Sequence, residues 1–344
     1  MEYTLGQKIK GRLRYYSLLY REKVTRKPSH VLLETTNRCN LNCPFCLVGQ
    51  QNVLVQTHGN TSHDLMVRPM GMMSWDTFEL AKKQLKEFGI YNVYLHFQGE
   101  PLLHRDLAKM SKSLKDEGFR VMMFTNGLLF NEHNIAPMVE SGIDLIRFSV
   151  DGATQDIYKQ NRVGGQFEVV YENMKKLVKA TKGTRTRVEW QFIPMRNNEH
   201  EVPKAEQMAK EIGIPFFWKP YRVTDEERAP QQSQYRCTLL KKPCTDIYHQ
   251  LGIYWNGNVV PCCYDNDGHE VMGNVHEQTL STIWDSDRYT KFRKQVDNYQ
   301  NNPNAEPELC TSCLRWGNAK TKDALVETAS ASSGSASHKE EVTL

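Results

Sequence analysis

No stretch of this 344-residue chain is apolar for long enough to span a bilayer, and its first residues lack the apolar core of a secretory leader. Both absences point to a cytosolic protein. Basic residues interleaved with aromatic ones, the footprint of a nucleic-acid surface, are missing outside the first 27 residues. Net charge is small as well, +4 at pH 7, but it is unevenly placed. Lys8, Lys10, Arg12, Arg14, Arg21, Lys23, Arg26 and Lys27 stand against only Glu2 and Glu22, which leaves the remainder slightly acidic. Scattered cysteines are few, because most of the nine fall in close groups. Disulfides staple small secreted domains, so grouped cysteines in a leaderless chain of this length read as metal ligands in a reducing compartment.

The tightest group is Cys39-Asn40-Leu41-Asn42-Cys43-Pro44-Phe45-Cys46, with spacing C-x3-C-x2-C. No element of secondary structure fits between these cysteines, so one loop must aim their sulfurs at a single inorganic centre. Zinc would need a fourth ligand, for which His58 or His63 is available. On a cubane iron–sulfur cluster, three thiolates leave one iron open to bind a ligand.

Around this loop the chain reads as alternating strands and helices. Leu5, Ile9, Leu13, Tyr16 and Tyr20 fall at helical spacing and predict a basic amphipathic helix over residues 4–22. That helix can pack on the core or lie on a membrane surface. His30–Thr36 has the β-branched, apolar character of a buried strand, and residues 47–73 read as a long polar connection. Ser74 is a candidate N-cap for a helix carrying Phe78, Ala81, Leu85 and Phe88 on one face. Further strands are expected at Asn92–Phe97, Arg120–Thr125, Leu145–Val150, Arg187–Pro194 and Phe216–Tyr221. Helices are expected over 104–117, 131–141, 167–180 and 199–212. Six such strands imply α/β architecture with a parallel sheet, a partial (β/α)6 TIM-like barrel. After about Asp225 the pattern changes to short, turn-rich elements. The domains are therefore expected to be 1–27 (basic helix), 28–224 (core), 225–318 (second domain) and 319–344 (a low-complexity, disordered tail).

Polar signatures fall where the strands end: Gln98-Gly99-Glu100-Pro101, Thr125-Asn126-Gly127, Ser149-Val150-Asp151-Gly152 and Ile193-Pro194-Met195. Taken singly, each is an ordinary turn or helix cap. Together they mark the C-terminal rim, where α/β barrels carry their active sites.

The run from Glu34 to Cys46, followed by these motifs, resembles the radical S-adenosylmethionine (SAM) superfamily, in the branch carrying a C-terminal SPASM or twitch cluster domain. The resemblance implies a [4Fe–4S] cluster on Cys39, Cys43 and Cys46 whose open iron chelates SAM. It implies that Glu100 meets the SAM ammonium, that Gly99 lets the backbone approach, and that Phe45 lies near the adenine. Asn126 and Ser149 match the ribose and methionine contacts, and Arg162 is suited to the SAM carboxylate. Gln98 stands where the family usually has a first glycine. The SAM-derived 5′-deoxyadenosyl radical would abstract a substrate hydrogen atom, and a flavodoxin or ferredoxin would supply electrons.

Cys244, then Gly257-Asn258-Val259-Val260-Pro261-Cys262, then Cys310-Thr311-Ser312-Cys313 resemble a twitch-like domain. That implies a second, auxiliary [4Fe–4S] cluster on Cys244, Cys262, Cys310 and Cys313, with Gly257 in a hairpin turn. A zinc ribbon is the alternative. Cys237 and Cys263 are left over. They are either inert thiols or donors of a hydrogen atom to a substrate radical. The implied activity is oxidation or epimerisation of a small polar molecule, such as a sugar, aminocyclitol or nucleoside. Peptide modification is the alternative, and an electron carrier without catalysis the contrasting class. Glu189 and Asp225, acidic groups near the rim, are candidates for binding a substrate amine or for plain solvated surface.

Overall fold

The computed structural model describes residues 27–58, 65–221, 226–236, 244, 246–299 and 308–311. The expected N-terminal helix, His63, Asp225, Cys237, Cys313 and the tail lie outside these residues.

Among the described residues nine strands build one open sheet. The first six are β1 (His30–Leu33), β2 (Asn92–Tyr94), β3 (Arg120–Thr125), β4 (Leu145–Ser149), β5 (Arg187–Phe192) and β6 (Phe216–Trp218). They are joined by β7 (Gln250–Ile253), β8 (Asn258–Val260) and β9 (Gly273–Asn274), in the order β6-β5-β4-β3-β2-β1-β7-β8-β9. Every pairing from β6 through to β7 is parallel, and β7–β8 and β8–β9 are antiparallel. The sequential order of β1 to β6 without closure is a partial barrel. Helices cover its outer face, so a strand such as Arg120-Val121-Met122-Met123-Phe124-Thr125 is apolar on both faces. The strand's two-residue period then sorts the side chains: Val121 and Met123 enter the core, while Phe124 faces the inner cavity.

The core helices are α1 (Leu47–His58), α2 (Trp75–Phe88), α3 (Leu107–Asp116), α4 (Glu132–Glu140), α5 (Gln155–Asn161), α6 (Phe167–Ala180) and α7 (Val202–Glu211). α2 starts where Ser74 Oγ accepts the Thr77 N–H at 3.1 Å, a cap worth about 1 kcal/mol. Its face of Phe78, Ala81, Leu85 and Phe88 is buried in one core with Val31, Leu33 and Val93. Each fully buried Phe or Leu there contributes roughly 1.5–3 kcal/mol. No helix among the described residues is long and apolar enough to cross a membrane.

The fold departs from the sequence reading in two places. Residues 47–73 were expected to be a polar connection, but Leu47–His58 is helical. Amphipathic spacing is weak there, and contacts with the cysteine loop hold the helix instead. A Cβ on Gly49 would stand 2.4 Å from the Cys43 carbonyl oxygen, so α1 lies directly on the loop. Asn52 Nδ2 donates to the carbonyls of Cys39 (3.0 Å) and Leu41 (3.1 Å). The second departure is β7, which pairs with β1 from His30↔Gln250 to Leu33↔Ile253. A strand from within the expected second domain thus also extends the core sheet. Gly257, at φ +87°, turns the chain between β7 and β8.

A buried clasp reinforces this junction. Arg68 Nη1 and Nη2 donate to Glu34 Oε2 and Oε1 at 2.6 and 2.7 Å, and Arg68 Nε donates to the Asn266 carbonyl at 2.8 Å. The guanidinium lies 3.8 Å from the centre of the Tyr254 ring. Asp267 accepts the backbone N–H groups of Val67 and Arg68. Gln98 Nε2 donates to Asn266 Oδ1 at 2.6 Å, so the residue in place of the usual glycine ties the second strand end to the β8–β9 connection. The remaining helices, α8 (Asp246–His249), α9 (Leu280–Trp284), α10 (Asp287–Tyr299) and α11 (Glu308–Thr311), belong to this C-terminal part.

Candidate active site

The strand ends and the cysteine loop meet at a cavity of about 220 Å³. Cys39, Cys43, Cys46, Phe45, Gly99, Glu100, Asn126, Ser149 and Arg162 all line it. Every residue read from the sequence for SAM or for the first cluster is therefore gathered in one place. His58, offered as a zinc ligand, is not among the lining residues. Among the described residues no three His, Cys, Asp or Glu side chains are grouped to hold a single metal ion.

Glu100 is buried, and three donors fix its carboxylate. Oε1 accepts from Thr125 Oγ1 at 2.7 Å and from Leu102 N at 3.1 Å, and Oε2 accepts from Asn126 N at 2.7 Å. Burial pushes its pKa up, against the pull of these bonds. A carboxylate has about four acceptor positions, so one direction is left for a cation in the cavity. Gly99 is what allows this placement. At φ +73°, a Cβ there would sit 2.5 Å from the Arg38 carbonyl oxygen, inside the cysteine loop. Glu100 N donates to that same carbonyl at 2.8 Å. Asn126 also reaches the loop, with Nδ2 donating to Asn40 Oδ1 at 2.8 Å. Ser149 Oγ has no hydrogen-bond partner among the described residues.

Arg162 is held rather than free. Its Nη2 and Nε lie 2.6 and 2.8 Å from Asp151 Oδ2, and Nη1 lies 3.9 Å from Cys43 Sγ. The Phe45 ring centre is 5.4 Å from the guanidinium. Burial alone would lower the Arg162 pKa, but Asp151 and Cys43 outweigh it and keep the group charged. Asp151, read from sequence as a helix cap, is instead this arginine's buried counterion. Burial, and next the Glu100 charge, pushes the Cys39 thiol up to about 12. Burial pushes Cys43 up to about 11 against the pull of Arg162. Thiols this reluctant to ionise lose their protons to a metal centre that takes the sulfur as a ligand.

The positioning roles of Asn40, Asn52 and Asp151 escaped the sequence reading, because nothing in their local pattern separates a positioning contact from a turn residue. Glu189 was a candidate amine site. It is buried and bound to both Arg147 and Arg187, which leaves it neither solvated nor available.

Of the four cysteines assigned to the second cluster, three fall within the described residues. Cys262 and Cys310 are buried in the core cluster and Cys244 packs against it. Beside Tyr248 and Tyr289, which adjoin these cysteines, Arg293 keeps Nε and Nη2 buried without a hydrogen-bond partner among the described residues. This partly buried cation, which also feels the Asp285 charge, is compatible with anionic thiolates at this position. Cys263 turns away from Cys262, with its Sγ 3.5 Å from Gln250 Nε2.

A family model of the radical SAM superfamily matches residues 33–201. The chain belongs to the radical SAM superfamily. An iron–sulfur cluster-binding domain of the SPASM type matches residues 244–314. With these two domains this radical SAM chain carries a [4Fe–4S] cluster that binds SAM and an auxiliary iron–sulfur cluster. The chain is 24% identical over 317 residues to the tungsten-containing aldehyde ferredoxin oxidoreductase cofactor-modifying protein of Pyrococcus furiosus, covering 78% of this chain and 84% of that one. It is 21% identical over 325 residues to the PqqA peptide cyclase of Rhizobium meliloti, covering 84% and 80%. Among solved structures, BtrN in complex with AdoMet and 2-DOIA superposes with a TM-score of 0.52 at 20% identity, covering 82% of this chain and 91% of that one. This last likeness is one of fold.

Proposed function

We propose that Cys39, Cys43 and Cys46 hold the cluster that binds SAM, and that the enzyme removes a hydrogen atom from a polar substrate in the barrel lumen. Cys244, Cys262, Cys310 and Cys313 hold the auxiliary cluster in this reading. Bound there, SAM and the cluster would supply a carbon-centred radical for hydrogen abstraction, and for a net oxidation the auxiliary cluster would be the acceptor of the remaining substrate electron. The chain's own residues orient and shield. Glu100 receives the SAM ammonium, Asn126 and Ser149 meet the ribose and methionine portions, and Phe45 borders the adenine. Arg162 places positive charge beside Cys43. A flavodoxin or ferredoxin serves as reductant.

The observation that carries this reading is the inner face of the sheet next to the SAM cavity. His30, Tyr94, His96, Phe124 and Arg147 form a continuous row of contacts across it. Such a wall suits a small polar molecule, a sugar, aminocyclitol or nucleoside that is oxidised or epimerised. The neighbour solved with 2-DOIA is in keeping with it. Cys263 is the candidate hydrogen donor for epimerisation, because Gln250 links it to His30 in that row. The peptide cyclase, alignable over most of both chains, favours the second reading, a peptide substrate.

Anaerobic reconstitution followed by SAM and dithionite tests the proposal. About eight irons per chain and formation of 5′-deoxyadenosine are expected. Cys39→Ala should abolish 5′-deoxyadenosine. If no 5′-deoxyadenosine forms in the reconstituted wild type, the radical reading fails and the electron-carrier reading takes its place.

A further inference from the structure

One arginine of the lumen wall is built differently from the rest of the row. Arg147 lies on β4 two residues before Ser149, so both point to the same face. Ser149 lines the SAM cavity, which sets Arg147 one side-chain step deeper into the barrel. Its guanidinium is clamped 4.5 Å from the Phe124 ring centre and 4.3 Å from that of Phe217. Nε and Nη2 donate to Glu189 Oε2 at 3.1 and 2.7 Å. Nη1 has no hydrogen-bond partner among the described residues. The other Glu189 oxygen is taken by Arg187, so two guanidiniums share one carboxylate and the wall keeps a positive surplus.

His96 adjoins this clamp and also lines the SAM cavity. Its ring stacks on Phe124 at 4.2 Å with 20° between the planes. Nδ1 accepts the Phe124 N–H at 3.3 Å, which leaves the ring proton on Nε2. Burial, followed by the Arg147, Lys219 and His30 charges, lowers its pKa to about 3, so the imidazole remains a neutral N–H donor. Both groups are donors and both are immobilised against Phe124, with His96 lining the cavity and Arg147 standing across the Phe124 ring from it.

We propose that Arg147 forms an anion-binding subsite, and that the substrate carries a carboxylate or phosphate that docks on Arg147 Nη1, while His96 Nε2–H, across the Phe124 ring, meets a different polar group of the same substrate. This rests on the reading of the lumen as the substrate chamber, and it narrows the substrate to an acidic one. An arginine that only neutralised Glu189 would need neither the two rings nor a fork edge turned from its carboxylate. Glu189 has the further effect of tempering the arginine's charge, so that the subsite releases product.

Equilibrium dialysis of the reconstituted full chain with SAM tests this, using labelled inorganic phosphate, succinate and neutral myo-inositol as probes. Wild type should retain phosphate or succinate, and Arg147→Gln should weaken that binding by about tenfold or more, equivalent to about 1.4 kcal/mol. Preference for phosphate over succinate would assign a phosphorylated substrate, and the reverse a carboxylate. Glu189→Gln should tighten anion binding, because it removes the competing carboxylate while keeping a hydrogen-bonding oxygen. A purely structural pair would give no tightening. Equal binding by wild type and Arg147→Gln, anion binding by neither, or weakening in Glu189→Gln each overturns the proposal. 5′-Deoxyadenosine is measured on the same samples: anion binding without it removes the radical reading but leaves the subsite, and its formation without anion binding does the opposite.

Discussion

Replacing Arg68 with methionine should unfold the junction between the two parts of the chain before it disturbs any cysteine directly. Glu34 is completely buried, and both its oxygens are held by Arg68 at 2.6 and 2.7 Å. Arg68→Met leaves that carboxylate facing Tyr254 and the backbone N–H of Trp255 (3.4 Å) with no cation. Breaking a buried pair from one side costs about 3–5 kcal/mol. At roughly 2–4 °C per kcal/mol, the midpoint of thermal unfolding should fall by about 6–20 °C. Tryptophan fluorescence of the anaerobic protein reports this, with cluster absorbance followed in parallel. The decisive comparison is the double variant Glu34→Gln/Arg68→Met, which removes the stranded charge and should recover more than half of the loss. If it is as unstable as Arg68→Met alone, the cost comes from lost packing on Tyr254 and the electrostatic account is wrong.

Gly99→Ala should lower both iron content and SAM affinity, since its Cβ would press within 2.5 Å of the Arg38 carbonyl at a φ of +73°. Unchanged iron content and SAM titration would show that the strand end does not shape the loop. Arg162→Gln should move the potential of the first cluster to more negative values in an EPR-monitored titration, because it removes a positive charge 3.9 Å from Cys43 Sγ. Asp151→Asn should move it the other way, and shifts of the same sign in both variants would count against this role. His30, lowered to about 4 by burial and then by His249, has the pH signature of a histidine kept neutral. Its stabilisation is complete above the unfolded value of 6.5 and is lost as pH falls from 6.5 towards 4, by up to about 3 kcal/mol. The unfolding midpoint of cluster-free protein should follow that window and flatten in His30→Gln. An unchanged slope would contradict the assignment.

The six parallel strands were legible because buried parallel strands write continuous apolar runs, and the rim was legible because its polar motifs interrupt those runs at fixed points. Gly99 and Glu100 could be read together, since a glycine beside an acid at a strand end is locally distinctive. What escaped was set by distant contacts. α1 has no helical stripe because Cys43 and the Asn52 bonds hold it, not a hydrophobic face. Glu189 was indistinguishable from a rim acid until Arg147 and Arg187 stood beside it. The attachment of β7 to β1 was invisible because the two are more than 200 residues apart (His30↔Gln250), and no local pattern specifies a partner at that distance.

That attachment bears on the order in which the protein can be made. During synthesis, β1 and the cysteine loop that follows it emerge before the strands they pair with, and β2 soon covers one side of β1. Its other side waits for Gln250–Ile253, and Glu34 waits for Tyr254 and Asn266 to complete the clasp around Arg68. A chain released early therefore exposes an unpaired strand edge beside three reactive thiols, a state open to aggregation and oxidation. Cluster insertion into the loop is therefore expected to follow the pairing of β7 with β1. Fragments ending before β7 should accumulate as iron-free, insoluble protein even though they contain every residue that lines the SAM cavity.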